Sequence, residues 1–225
     1  MSIEEIVAKR KERKDYLKER MKKDYEYHVA THTVFKSEDG QIEYLLWKKP
    51  GTSNYMVTYI IAGGYLYVSG DLGEAIYQWS DRISFEWLAK LDLYYFSSKC
   101  QASEYGRGYK EWCSTEAEED VKIMLEEASE NGDCVCTEED EECKCFEKHK
   151  KELWDKFKET RGDWNLRSKE EWHMWCQESA EEVLGPDWWE SVGQIGEIIS
   201  PRCELHLLGL KMADAKLKVN KEELE

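Results

Sequence analysis

Long hydrophobic runs are missing from this chain. No stretch of eighteen consecutive apolar residues occurs, and acidic side chains stand within the first five positions. A membrane-spanning helix needs about 20 mostly apolar residues, and a secretory signal has a basic start followed by an apolar segment. We therefore expect neither a membrane span nor a signal peptide, and we place the protein in a cytosol.

Motifs that indicate nucleotide chemistry are absent as well. Gly70-Asp71-Leu72-Gly73 is glycine-rich, but it matches neither the GxxxxGK[ST] nor the GxGxxG phosphate-binding pattern. The residues that follow have the character of a strand and not of a helix N-terminus. This pattern favours a hairpin turn in which Asp71 accepts hydrogen bonds from turn amides.

The sequence also pairs no nucleophile with a base. Cys100, Cys113, Cys176 and Cys203 lie apart in the chain, and nothing in the sequence pairs a histidine with any of them. Buried, inert thiols are the usual outcome for such residues. We predict no catalytic residue, so the sequence favours a protein that is not an enzyme without deciding the question.

Charge is abundant but unevenly distributed. The net charge is −16, and the window from 115 to 147 holds fourteen acidic residues against two lysines. Residues 1 to 23 are basic, with nine Lys or Arg against five acidic residues. This asymmetry indicates either self-association or a basic partner. Because the first helix is the only basic cluster, we expect no direct binding of nucleic acid.

The segment from Tyr44 to Trp79 predicts the centre of the fold. Three apolar runs, 55–61, 65–68 and 75–79, are separated by Gly63-Gly64 and by the 70–73 turn, which is typical of an antiparallel meander. Strands over 25–35 and 42–47 bring the sheet to about five strands. The remaining sequence has a helical period.

Helices are predicted before and after this sheet in the sequence. Ser2 and Glu5 have capping-box spacing and start a helix to about Lys22, which is either a solvated surface helix or an arm that docks on a partner. Later helices are expected over 83–91, capped by Ser80 or Asp81, over 92–100, 114–129, through 154 to 160, over 168–183 and 188–189, and after Pro201. The last one should be central to the fold.

The predicted fold class is α+β. An N-terminal helix (1–24) precedes an antiparallel sheet core with following helices (25–112). An acidic, Cys-rich helical lobe (113–165) is inserted next, and C-terminal helices (166–225) pack on the core.

Four clustered cysteines form a C-x-C-x6-C-x-C pattern at Cys134, Cys136, Cys143 and Cys145. In a reducing cytosol such thiolates favour a structural zinc ion, which takes four ligands. Five acidic residues inside the loop oppose thiolate formation, so disulfides or plain reduced cysteines stay open as alternatives. A site with four protein ligands leaves no open position for a substrate.

The acidic window has two interpretations, a solvated face or a partner-binding surface. Its charge is dense enough to imitate a nucleic-acid backbone and compete for Lys- and Arg-lined grooves. The predicted partner-binding residues are all carboxylates of this window: Glu116, Glu118, Glu119, Asp120, Glu126, Glu127, Glu138, Glu139, Asp140, Glu141 and Glu142.

A family resemblance adds to these observations. Trp47 to Pro50, the 55–61 run, Tyr65-Leu66-Tyr67-Val68-Ser69-Gly70-Asp71-Leu72-Gly73, Tyr95-Phe96, Ser98-Lys99-Cys100 and the apolar helix after Pro201 resemble a pattern that recurs in small proteins of phage and prophage genomes. The resemblance covers roughly residues 42 to 110 and 200 to 217. Most of those proteins have no assigned activity, so it implies a phage origin and a host bacterial cytosol more than a function. The acidic, Cys-rich lobe departs from the plain form.

These features together lead to a functional expectation. An acidic phage protein without a catalytic constellation is similar in kind to the inhibitors with which phages block bacterial immunity, of the anti-CRISPR or anti-Gabija type. It would bind a host nuclease or defence complex by protein contact and block nucleic-acid access or assembly. The alternatives are an enzyme acting on a nucleotide signal or nucleic acid through a pocket on the sheet, with Asp71 or a histidine, and an oligomeric structural or regulatory phage protein.

Overall fold

The computed structural model describes residues 3–38, 40–104, 109–130, 145–162, 166–190 and 192–222. It is a mixed α+β structure with an N-terminal helix, an antiparallel sheet and a helical C-terminal part. The helices are α1 (Ile3–Asp24), α2 (Phe85–Leu88), α3 (Leu93–Ser98), α4 (Ser114–Glu130), α5 (Cys145–Arg161), α6 (Lys169–Leu184) and α7 (Pro201–Glu222). The strands are β1 (Val29–Ser37), β2 (Gly40–Lys48), β3 (Val57–Ala62), β4 (Tyr65–Gly70), β5 (Ala75–Gln78), β6 (Cys100–Ser103), β7 (Lys110–Trp112) and β8 (Glu197–Ile199).

The six strands β1 to β6 form one antiparallel sheet in sequence order, and β7 pairs with β8 separately. Tight reversals explain this order. Gly63 has φ 61°, which a glycine adopts without strain, and it lets Ala62 pair with Tyr65 directly across the turn. The predicted meander is confirmed, with a sixth strand where about five were expected.

The additional strand is β6, a short edge strand in a region where the sequence predicts helix and loop. It pairs with β5 through an irregular register between Ile76 and Tyr77. The first strand also differs from the prediction, because it begins at Val29 and not at Tyr25. Tyr25 lies in a turn, where its amide bonds to the Met21 carbonyl and its ring is fully buried.

Helix α7 packs on one face of the sheet, as its apolar sequence predicted. Cys203, Leu207, Leu210 and Ala213 join the sheet residues in one core cluster. The contact is close, because Tyr59 donates a hydrogen bond from its hydroxyl to a backbone carbonyl of α7 at 2.9 Å.

The short helix α2 begins later than predicted. Ser84 is its N-cap and accepts a hydrogen bond from the Trp87 amide, whereas Ser80 or Asp81 had been expected in that role. The cause is a pair of hydrogen bonds to a segment that is distant in the sequence. The Trp79 and Ile83 amides bond to the Gly64 and Gly63 carbonyls, which holds this segment in a non-helical conformation.

Helices α4, α5 and α6 form a second core rich in aromatic rings. Trp175 stacks on Trp172 with ring centroids 5.0 Å apart and meets Phe157 edge-on at 5.0 Å. The helix predicted over 168–183 is confirmed to within one residue at each end, and Ser168 caps it by accepting from the Glu171 amide. Five residues at helical spacing form the buried side of α6: Trp172, Trp175, Cys176, Ala180 and Val183.

The chain divides into two compact units. The sheet unit contains 11–110 and 199–225, and the helical unit contains 1–10 and 111–198. Helix α6 thus belongs with α4 and α5, whereas the sequence grouped it with α7. Among the helices that the structure describes, none carries an apolar stretch long enough to cross a membrane.

Candidate functional site

The acidic residues at the start of α4 surround one arginine. Arg10 Nε lies 2.8 Å from Glu116 Oε2 and 2.9 Å from Glu119 Oε2, and Nη1 lies 2.8 Å from Asp120 Oδ1. Burial opposes the charge, but these carboxylates raise the pKa of the Arg10 guanidinium above its ordinary value. Asp120 also accepts a hydrogen bond from the Gly196 amide at 2.8 Å. Three predicted partner-binding residues therefore have a structural role within the chain.

The other predicted carboxylates are placed differently. Glu126 pairs with Lys150 at 2.7 Å, while Glu118 and Glu127 are exposed. The remaining predicted residues, Glu138, Glu139, Asp140, Glu141 and Glu142, lie outside the described residues. Among the described acidic residues of α4, Glu118 and Glu127 are the most accessible to a partner.

The side chains of the four clustered cysteines lie outside what the structure describes. Cys134, Cys136 and Cys143 lie outside the described residues, and Cys145 is the first residue of α5. Elsewhere in the described chain, no group of three or more His, Cys, Asp or Glu side chains is arranged to hold a metal ion. The zinc site stays a prediction.

One of the dispersed cysteines does share a partner with a histidine, inside the core of the sheet unit. The Tyr77 hydroxyl lies 3.3 Å from Cys203 Sγ and 3.0 Å from His206 Nδ1. Burial lowers the pKa of His206 to about 4, so the imidazole is neutral at pH 7. Since Cys203 and His206 are almost fully buried, this cluster has no access to a substrate and holds α7 on the sheet. Burial likewise raises the pKa of Cys176 to about 12 in the helical unit.

The glycine-rich turn has the structural role that its sequence favoured. Asp71 Oδ2 accepts a hydrogen bond from the Tyr55 amide at 2.8 Å. This bond holds Tyr55 at a φ of 54°, which is uncommon outside glycine. Asp71 thus joins the turn between β4 and β5 to the loop that precedes β3, whereas the sequence predicted bonds to amides of its own turn.

The sheet face opposite α7 is open and apolar. Strand pairing places Tyr44, Ile60, Tyr67 and Ile76 side by side across β2 to β5. We call the outward side chains of β1 to β5 the open face. Tyr44 and Leu46 on this face are half-buried, and its other large apolar members are exposed by 37% to 57%: Val29, Phe35, Ile42, Ile60, Tyr65, Tyr67 and Ile76.

This open face has almost no charge. Among the outward positions of the described β1 to β5 residues, Lys48 at the end of β2 is the single charged one. The outward face of an antiparallel sheet is commonly polar, which gives a strand its alternating pattern. A face lined by Ile and Tyr in a chain with 36% charged residues is therefore unusual. Exposed apolar patches of this kind mark interaction surfaces.

A second feature lies on the α7 side of the sheet, where Glu43 stands among core positions. Its side chain is on the same face of β2 as Leu45 and Trp47, and it is 6% exposed. Glu43 Oε2 lies 3.0 Å from His32 Nε2 and accepts from the Phe85 amide at 3.3 Å. The buried carboxylate is thus satisfied by partners from two other elements.

Glu43 borders a cavity of about 650 Å³. The walls come from the ends of β2 and β3, the segment 79–84, α2, α3 and the residue after α3. They combine aromatic rings with both signs of charge: Glu43, Trp79, Arg82, Trp87, Tyr95 and Lys99.

The open face was not predicted from the sequence, and the enzyme alternative expected a pocket on the sheet at Asp71 or a histidine, neither of which lines this cavity. The sequence of β4 does contain a signal for the open face. Tyr65 and Tyr67 alternate there with Leu66 and Val68, so both faces of the strand are apolar. Such strands are typical of sheets covered on both sides. The cavity had no comparable signal, since its walls come from segments that only the fold brings together.

Comparison of the chain with protein-family models, curated proteins and solved structures gives no match. The resemblance to phage and prophage proteins therefore stays a prediction.

Proposed function

We propose that this chain is a phage-encoded inhibitor of a bacterial immune system that acts by protein contact in the host cytosol. The observation that carries the proposal is the open face. Cores of protein interfaces are depleted of charge and enriched in aromatic residues, and hot spots favour rigid aromatic anchors. Tyr65 and Tyr67, with ring centroids 6.1 Å apart and stacked, provide such anchors.

The area of the open face is adequate for a specific complex. With about 4.8 Å between strands and about 3.3 Å per residue, five strands of about six residues cover on the order of 500 Å² in projection. Side-chain relief raises the accessible area above the projected one, toward the roughly 800 Å² per partner of a standard interface. A single, continuous face of this size supports binding without help from a pocket.

Charge indicates the kind of partner. A net charge of −16 attracts basic proteins and raises their association rate. Complexes that handle nucleic acids present such basic surfaces, so a host nuclease or defence complex fits best. The accessible carboxylates Glu118 and Glu127, together with the acidic window after α4, would steer the encounter. The apolar open face would supply the holding energy.

The experiment is phage plating on bacterial strains that each carry one defence system, with the chain expressed from a plasmid. The test variant is Ile60→Thr with Tyr67→Thr, because threonine keeps the strand propensity while removing apolar area. The matched control is Tyr94→Thr, since Tyr94 is 72% exposed on α3 and lies outside the sheet. We expect wild type and control to restore plating on one strain, and the double variant to fail.

Three results would count against the proposal. If the wild-type chain restores phage plating on none of the strains, the anti-defence function is wrong. If the double variant restores plating as fully as wild type, the open face is not the surface that carries this function. If the purified wild-type chain is a dimer by itself and the double variant is a monomer, the open face serves self-association.

A further inference from the structure

The cavity beside Glu43 has no part in the function proposed above. We propose that it binds a small aromatic phosphate of the nucleoside monophosphate class. Its volume of about 650 Å³ lies within the range of about 300 to 1,000 Å³ that small-molecule sites occupy. Its walls provide aromatic rings for the base, cations for the phosphate and a carboxylate for hydrogen-bond donors of the ligand.

The aromatic wall suits a planar base. Trp87 and Tyr95 are each 39% exposed, and their ring centroids lie 6.4 Å apart in an edge-to-face arrangement. Trp79 meets Trp87 edge-on at 5.9 Å and supports it from the buried side. Exposed aromatic rings that are held in place stack bases of any sequence.

Two cations suit a phosphate. Lys99 Nζ lies over one face of the Tyr95 ring, 4.8 Å from its centroid, which places the ammonium at the aromatic wall of the cavity. Arg82 is exposed on the cavity wall and forms no ion pair with any residue in the described part of the chain. A guanidinium binds phosphate oxygens through paired hydrogen bonds.

The polar wall suits hydrogen-bond donors of the ligand. Glu43 occupies a position where the strand alternation calls for a core residue, and its carboxylate is almost fully buried. Gln41 Nε2 donates to its Oε1 at 3.2 Å, which leaves acceptor capacity on both carboxylate oxygens. His32, Gln41 and the Phe85 amide already pair with this carboxylate, and its remaining acceptor capacity is available to a hydrogen-bond donor of the ligand.

A second buried group at the cavity has no partner within the described chain. The indole Nε1 of Trp79 is inaccessible to solvent and has no hydrogen-bond partner among the described residues, although Trp79 is 6% exposed overall. Trp47 Nε1 in the core of the sheet unit is likewise without a partner among the described residues, so the Trp79 donor does not by itself indicate a ligand.

Backbone hydrogen bonds hold one wall of the cavity in place before any ligand binds. The Trp79 amide bonds to the Gly64 carbonyl at 2.8 Å, and the Ile83 amide bonds to the Gly63 carbonyl at 3.0 Å. A β-carbon at Gly64 would lie 2.4 Å from the Trp79 carbonyl oxygen, so only glycine permits this approach. A rigid wall lowers the entropic cost of binding.

Charge decides between a mononucleotide and a longer nucleic acid. The cavity lining holds two cations, Arg82 and Lys99, beside two carboxylates, Glu43 and Asp81, whereas a strand needs a groove of positive charge along its backbone. The net charge of −16 opposes a polyanion over the rest of the surface. A single phosphate on one base is therefore favoured.

The test is isothermal titration of the full chain with the four common nucleoside 5′-monophosphates, and with adenosine and inorganic phosphate as partial ligands. We expect one saturable site for at least one monophosphate, and weaker binding of both partial ligands. Arg82→Gln should weaken binding by about tenfold or more, because charge-assisted hydrogen bonds to phosphate are lost. Arg20→Gln makes the same charge change at another exposed arginine and should leave the affinity unchanged.

The aromatic wall has its own matched pair. Trp87→Ala should weaken binding by about tenfold, since a base loses one of the aromatic side chains on which it stacks. Trp189→Ala, at a tryptophan that is 61% exposed in the helical unit, should have no effect. Unchanged thermal unfolding of Arg82→Gln and Trp87→Ala establishes that each variant is folded.

Three results would overturn the inference. The first is no saturation with any monophosphate up to millimolar concentration. The second is equal affinity of folded Arg82→Gln and wild type. The third is tighter binding of a short oligonucleotide than of every monophosphate, which would make the cavity part of a nucleic-acid surface.

Discussion

A β-carbon at Gly209 would lie 2.3 Å from the hydroxyl oxygen of Tyr59. The glycine stands in the interior of α7, where this residue type weakens a helix by roughly 0.5 to 1 kcal/mol relative to alanine. Its use there is explained by the Tyr59 hydroxyl, which donates to the His206 carbonyl at 2.9 Å. The helix lies so close to the sheet that no side chain fits between them.

The first prediction follows from this contact. Gly209→Ala should lower the free energy of unfolding by about 1 to 3 kcal/mol, because Tyr59 is fully buried and has no space to move. Urea unfolding measures the change. Gly193→Ala is the control, since a β-carbon there meets nothing within 4 Å and should alter stability by less than about 0.5 kcal/mol. A stabilised Gly209→Ala would contradict the packing of α7.

The second prediction concerns Arg10. Replacing it by glutamine leaves Glu116, Glu119 and Asp120 as neighbouring negative charges, and should cost about 2 kcal/mol of stability. Arg10→Lys should rescue only part of the loss, since one ammonium cannot reproduce three directed contacts. Urea unfolding followed by tryptophan fluorescence measures this. Arg20→Gln, at an exposed position, should leave stability unchanged, and an equally stable Arg10→Gln would refute the structural role of these carboxylates.

The third prediction is a pH dependence. The pKa of His206 is about 4 in the folded chain, because of burial, and about 6.5 when unfolded. The unfolded chain binds the proton first as the pH falls, so this residue alone should remove about 2 kcal/mol of stability between pH 7 and pH 5. Burial also lowers the pKa of His28, which acts in the same direction.

Urea unfolding at pH 7 and pH 5 checks this role of His206. His206→Asn should lose less stability than wild type between the two values, whatever its absolute stability. His173→Asn, at an exposed histidine on α6, should retain the wild-type difference. An unchanged slope in His206→Asn would show that the buried imidazole does not titrate in this range.

The fourth prediction tests the cysteine pattern. If the four clustered thiolates hold zinc, the purified chain should contain about one zinc ion per molecule. Cys136→Ser should lower this content strongly, whereas Cys113→Ser, a single cysteine outside the pattern, should retain it. Elemental analysis by mass spectrometry measures both. A wild-type chain without zinc, purified under reducing conditions, would favour free or disulfide-linked cysteines.

The sequence predicted those elements whose signals are local. Ser168 caps α6 and its stripe has helical spacing, and Gly63-Gly64 separates two strands in a tight reversal. These patterns specify structure through neighbours only a few residues apart. Element boundaries and types were therefore accessible for most of the sheet and the long helices.

The features that escaped prediction depend on contacts between distant segments. Ser84 becomes a cap because Gly63 and Gly64 hold the preceding residues, and β6 forms because β5 offers an edge. Arg10 bonds to Glu119 although 109 positions separate them in the sequence. The sequence alone therefore did not show that carboxylates of α4 are paired within the chain. The cavity likewise requires several distant segments in one place. Periodicity contains no information on such pairings.

The measurement that tests the central claim most directly is the affinity of the chain for the defence-complex subunit that plating identifies. Isothermal titration should give a fixed ratio for wild type, and Ile60→Thr with Tyr67→Thr should bind at least about 30-fold more weakly, as expected for losing a hot spot. Tyr94→Thr should bind like wild type. Equal affinity of a folded double variant would contradict the claim that the open face is the partner-binding surface.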